Sequence, residues 1–238
     1  MATNTYSQST PEEGYRLLFN NEDFDDWTVY TQDGTDGTDL FKVENKMIHV
    51  YPTQAHLSEQ TFAGLTTLKE YADYDITFEF KWGENKFKPR HDFVRDAGIL
   101  FHVHGEEIIW PNAVECQIQE GDTGDVWIVG TKVTSKVNQT IRNYDPNGQE
   151  VTRGGGDQKY NRFHRGYFWE VPGWNTVKLE VRGADAKFYV NGKLVNEAND
   201  MKYWDTSSES WEPLTKGKIL FQAEGAELWY RNIYIKEY

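Results

Sequence analysis

The chain has 238 residues, a formal net charge of −13, and 9 Trp, 14 Tyr and 13 Phe. That acidity argues against nucleic acid or an anionic membrane surface as a partner, because both want a basic face. No apolar run approaches the ~20 residues of a membrane-spanning helix, and a single cysteine, Cys116, leaves neither a disulfide framework nor a thiolate metal site within one chain.

Residues 1–13, MATNTYSQSTPEE, are polar and predict a disordered tail; residues 14–238 carry no repeat or linker and predict one domain. No long helical period occurs. Gly14–Asn20 leads into a turn that ends at Trp27, and Phe41–Val50 reads as a hairpin around Glu44–Asn45. Ala63–Thr67 is a short strand. Asp75–Trp82 alternates, with Ile76, Phe78, Phe80 and Trp82 on one side. Thr176–Val181 and Lys187–Val190 follow, and Asn191–Gly192 marks a two-residue hairpin turn. Lys218–Gln222 and Glu227–Lys236 close the chain. Many antiparallel strands without helices predict an all-β sandwich or jelly roll. Two basic stretches, Gly83–Arg95 and Tyr144–Gly173, read as loops that either carry function or offset local acid charge.

The densest chemistry lies in Ala97–Asp125. Ala97, Ile99, Phe101 and Val103 alternate with Gly98, Leu100, His102 and His104. Val114, Cys116 and Ile118 then alternate with Glu115, Gln117 and Gln119. A period of two predicts one apolar side and one side that aligns two imidazoles, a carboxylate and two carboxamides. Such a row suits the handling of protons and hydroxyls. His102 and His104 would stand roughly 6.5–7 Å apart on one side. That spacing could hold a divalent ion, with Glu115 as a third ligand, although the cupin pattern of that motif is not completed. Plain hydrogen bonding is the duller reading of both histidines.

A pair of carboxylates on one strand face, as in laminarinase-type glucanases, is not visible, since Glu120 is out of phase with Glu115. Arg95 and Asp96 at the strand mouth could clamp a sugar diol or form a structural ion pair. Trp110, Trp127 and Trp82 are candidate stacking rings, with Trp82 in phase with core residues.

Eight segments in order resemble one family. They are GYRLLFNNEDFDDW, FKVENKMIHV, LTTLKEYADYDITFEFKW, DAGILFHV, WPNAVECQIQEGDTGD, GWNTVKLEV, FYVNGKLVNEAND and LWYRNIYIKEY. The chain after residue 13 is similar to the 3-keto-disaccharide hydrolase domain family. The resemblance implies a concanavalin A-like jelly roll of two curved antiparallel sheets, with the ligand on the concave one. It implies a carbohydrate substrate, a glycoside already oxidised at C3, and a periplasmic or secreted protein whose leader is absent from this chain; a cytoplasmic location is the alternative.

A C3 ketone acidifies C2–H, so a base can start an elimination that water later completes as net hydrolysis. On that reading Glu115 or His102 is the base. The other, or a divalent ion, polarises the ketone. Gln117 completes the catalytic group and, with Gln119 and His104, holds hydroxyls. Arg90, Arg95 and Asp96 close the rim, Trp110 and Trp127 stack on sugar, and Gln222 adds a further substrate contact. Cys116 stands where the family commonly has an aliphatic residue, and the basic 153–165 stretch does not align with it. The alternatives are a non-catalytic carbohydrate-binding module on the same fold, or a conventional glucanase that would need a second carboxylate, Glu120 or Glu224, near Glu115. A structural domain in a larger assembly is a third.

Overall fold

The structure, a computed structural model, describes residues 11–238, so the first ten residues of the predicted tail lie outside it. Two antiparallel sheets make up the molecule. One has seven strands, in the order Tyr160–Phe163, Val126–Val129, Asn112–Gln119, Asp96–His104, Lys218–Ala223, Ala63–Thr67, Trp27–Thr31. The other has eleven, built around Tyr74–Lys86, Asn175–Arg182 and Ala226–Glu237. Among the described residues the one helical element is the 3₁₀ turn Thr38–Leu40.

The core lies between the sheets and follows the alternation. Ile76, Phe78 and Phe80 face inward beside Val177, Leu179 and Val181 of the paired strand. From the seven-stranded sheet come Ala97, Ile99, Phe101, Val114, Cys116, Ile118 and Phe221. Phe221 packs edge-on against Phe78 and Tyr230, with centroids 5.2 and 4.9 Å away. Each such fully buried side chain contributes about 1.5–3 kcal/mol. Trp82, next in phase, is half-buried at the edge of the core against Phe80 and donates its indole N–H to Glu170 at 3.1 Å.

The Asn191–Gly192 turn forms where the sequence puts it, while the first hairpin turns one residue later than expected, at Asn45–Lys46, because Glu44 pairs with Met47. Asn45 and Lys46 have φ of 52° and 64°, and Asn191 and Gly192 have 48° and 76°, the left-handed pair a two-residue hairpin requires. The two basic stretches are not simply loops. The strand from Tyr74 runs on to Lys86. The 144–173 stretch contains Gln149–Gly154 and Tyr160–Phe163, which form the edge strand of each sheet in turn. Gln149–Gly154 turns only Val151 against the core among mostly polar residues, so no hydrophobic alternation marks it.

Because Ala97, Cys116, Val126 and Phe221 point into the sandwich, their neighbours Asp96, Glu115, Gln117, Trp127 and Gln222 point outward from the same sheet. That outer face carries the site.

Candidate active site

A cavity of about 470 Å³ opens on this face. Three acids, Asp96, Glu115 and Glu224, line it with two cations, Arg90 and Arg162. Asp96 sits at the start of its strand, directly opposite Gln119, and is 4% exposed. Its Oδ1 accepts from Gln117 Nε2 at 2.8 Å, and its Oδ2 accepts from Gln119 Nε2 at 2.8 Å and from the Arg90 guanidinium. Both oxygens are thereby engaged. Burial lifts its pKa to about 6, with Arg90 and Gln119 opposing the rise.

Glu115 lies on the neighbouring strand, two outward positions from Gln119 and opposite Leu100; it is buried, and its Oε1 has no hydrogen-bond partner among the described residues. Burial first, and then the Glu224 and Asp96 charges, push its pKa well up, which favours the protonated form. Glu224, just past Lys218–Ala223, stands 3.6 Å from Arg90. Burial and Asp96 raise its pKa to about 8 against the opposing Arg90.

Gly98 is the floor of this cluster. A Cβ there would come within 2.1 Å of Glu115 Oε1 and 2.6 Å of Gln222 Oε1. The Gln222 oxygen, the Trp127 indole nitrogen and Arg90 Nε are buried without partners among the described residues, a set of unspent polar groups in one cavity. Arg162 is held by Asp122 and the fully buried Asp125, and its guanidinium lies 5.3 Å from the Trp127 ring centre. Trp110 stacks with Phe62 at 6.3 Å and covers an apolar patch of Leu100, Val103, Ala113 and Leu220.

The structure thus brings together Glu115, Gln117, Gln119, Asp96, Arg90, Trp110, Trp127 and Gln222. It does not bring His102, His104 or Arg95 to them. A bulge between Phe101 and His104 breaks the register, and His102 takes φ of 51°. Its ring turns into the core end, where Nε2 donates to the Gly183 carbonyl at 2.9 Å and the ring meets Tyr74 edge-on. Burial lowers its pKa to about 4, so it stays neutral. Val103 takes the outer face in its place. His104 packs on Tyr203 of the other sheet. Arg95 pairs with Glu120 at 2.8 Å across Trp82 and lines a separate cavity, so the cation on Asp96 is Arg90 instead.

Glu224 and Arg162 complete the site. Glu224 follows a strand whose Gln222 already faces outward, and the same period of two places Glu224 beside it. Arg162 lies on an edge strand too short to show a period.

The divalent ion that the His-x-His spacing allowed does not fit these residues. The bulge separates the imidazoles from Glu115, and among the described residues no three His, Cys, Asp or Glu side chains are placed to hold a metal.

Two solved structures described as putative glycosyl hydrolases from Parabacteroides distasonis ATCC 8503 share the fold. One has a TM-score of 0.59 at 21% identity, covering 98% of this chain and 100% of that one; the other has 0.56 at 17%, covering 94% and 99%. The carbohydrate-binding module CBM66 from Bacillus subtilis is similar at TM-score 0.51 and 11% identity, covering 89% and 96%. No curated protein sequence matches the chain. The architecture is the concanavalin A-like jelly roll. A family model for the 3-keto-alpha-glucoside-1,2-lyase-like domain matches residues 14–236, and the chain belongs to that family.

Proposed function

We propose that the protein cleaves glycosides already oxidised at C3, by elimination across C1–C2 followed by hydration. The observation that carries this is the pair Glu115 and Glu224. Two carboxyls share one buried pocket, and their surroundings hold protons on them to different degrees. Where environments spread titrations in this way, the acid and base roles follow.

Glu224, with its pKa near 8 and the Arg90 guanidinium beside it to balance its anion, is the base. Glu115, whose burial favours the protonated form, donates to the C3 oxygen, as does the Trp127 N–H, which has no partner among the described residues. Glu224 removes the C2 proton. The electron pair forms C2–C3 double-bond character and places negative charge on the C3 oxygen. Return of that charge restores the ketone, forms C1=C2 and breaks the bond from C1 to the leaving oxygen, which takes up a proton. Water then adds hydroxide to C1 and a proton to C2. Asp96, with both oxygens engaged, acts as a positioning residue that fixes Arg90, Gln117 and Gln119.

A second reading rests on the same pair, since Glu224 in the Glu115 pocket supplies the second carboxyl a conventional glucanase needs. Product analysis on a 3-keto glucoside beside its unoxidised parent separates them. Cleavage of the keto compound alone is the expected result. Cleavage of the parent as fast would establish a conventional glycosidase, and binding of both without turnover would leave a binding module.

A further inference from the structure

A second cavity of about 470 Å³ adjoins the first. It is lined by Gly130, the turn Gly155–Lys159, Trp204 and Trp211. The two tryptophans are directly opposite one another in the hairpin of Lys193–Asp205 and Ser210–Pro213, with ring centres 5.6 Å apart. Trp211 is held in place: Lys132 Nζ lies 4.4 Å from its centre, and Gly155 backs it so closely that a Cβ there would meet the ring at 3.0 Å. Trp204 is 46% exposed. Gly156 has nothing within 4 Å of where a Cβ would stand, so the approach is open.

The two cavities share a wall. Lys159 lines the second, and its ammonium donates to the carbonyl of Trp110, which lines the first, at 2.8 Å. Tyr160, the next residue, lines the first. Gly130 lies three residues beyond Trp127, about 10 Å along the chain at strand spacing.

We infer that Trp204, Trp211 and the Gly155–Lys159 turn form a distal subsite for a further pyranose ring of an extended glycoside. A pyranose has an apolar C–H face and a polar rim. The subsite answers both, with an open indole face and with Asp157, Gln158 and Lys159 around it. The substrate class is therefore an oligosaccharide glycoside longer than a disaccharide. This rests on placing the reacting ring in the Glu115–Glu224 pocket.

The test compares a C3-oxidised methyl glucoside with a C3-oxidised glucotriose on the wild-type protein and on Trp204→Ala and Trp204→Phe. The trisaccharide is expected to have about 10-fold higher kcat/KM. Trp204→Ala should erase that advantage through KM, leave the methyl glucoside unchanged, and be partly rescued by Phe. Equal kcat/KM for the two substrates, or equal loss on both in Trp204→Ala, overturns the subsite while leaving the reacting pocket intact. If neither keto compound is turned over, the pocket reading fails and binding decides the subsite alone. Unoxidised β-1,3-, β-1,4- and α-1,4-linked glucotrioses are then titrated while the indole N–H resonance lost in Trp204→Phe is followed. A shift with any of them supports the subsite. No shift, or a shift only with phenyl glucoside, overturns it.

Discussion

Gly98 is a glycine because of what lies over it. Glu115 Oε1 and Gln222 Oε1 occupy the space that any Cβ would need. The strand can still form with alanine, since its inward neighbours Ala97 and Ile99 keep their packing. Gly98→Ala is therefore expected to fold, with an unchanged far-UV spectrum, and to displace the Glu115 carboxyl. A displacement of about 1 Å at a reacting group costs about 100-fold in rate, so a steady-state assay on the keto glycoside should show a loss of that order. Full activity in Gly98→Ala would place the chemistry elsewhere.

At the level of elements, the bulge at the end of Asp96–His104 decides who enters the site. Strict alternation would carry both histidines to the outer face; φ of 51° at His102 sends that ring inward and Val103 outward. His102→Leu is expected to leave kcat/KM for the keto glycoside unchanged. It should cost about 1–2 kcal/mol of stability, because the Gly183 carbonyl loses its donor. Thermal melts and kinetics on the same sample check both halves, and a selective loss of kcat would return His102 to the site. Much of the rest was legible, because one face of Asn112–Gln119 is apolar and buried against the core while Glu115, Gln117 and Gln119 have no such role to fill. The bulge was not legible, since His-Val-His reads the same with or without it. Arg95 adjoins Asp96 in sequence and is the cation expected beside it, but the path of the 87–95 loop brings Arg90 there instead and leaves Arg95 on Glu120.

For the whole molecule, the buried acids make stability depend on pH in an unusual direction. Glu224 has a folded pKa of about 8, above its ordinary value of 4.5, so the folded state binds more protons than the unfolded one between those values. Its contribution is fully present below the ordinary carboxyl range and is lost as pH rises through 8. Glu115 acts with the same sign. His102, held neutral with a pKa of about 4, works oppositely, but only below its ordinary 6.5. Carboxylates held low by cations, where burial is outweighed, such as Asp75 beside Arg182 and Lys178, act at still lower pH. The clean window is pH 6.5 to 9, where the melting temperature should fall. Glu224→Gln should flatten that fall and melt higher than the wild type at pH 9. A wild-type melting temperature that rises across the window would contradict the buried, protonated acids.

The most direct measurement is of the C2 hydrogen. The keto glycoside is turned over in D₂O beside an enzyme-free control, and the released sugar is analysed by mass and by NMR. Elimination through C2 requires deuterium at C2 of the product at the rate of cleavage, and Glu224→Gln should abolish both together. Cleavage that leaves the original hydrogen on C2 would show that the glycosidic bond breaks by direct displacement, and that Glu115 and Glu224 serve as a conventional glycosidase pair.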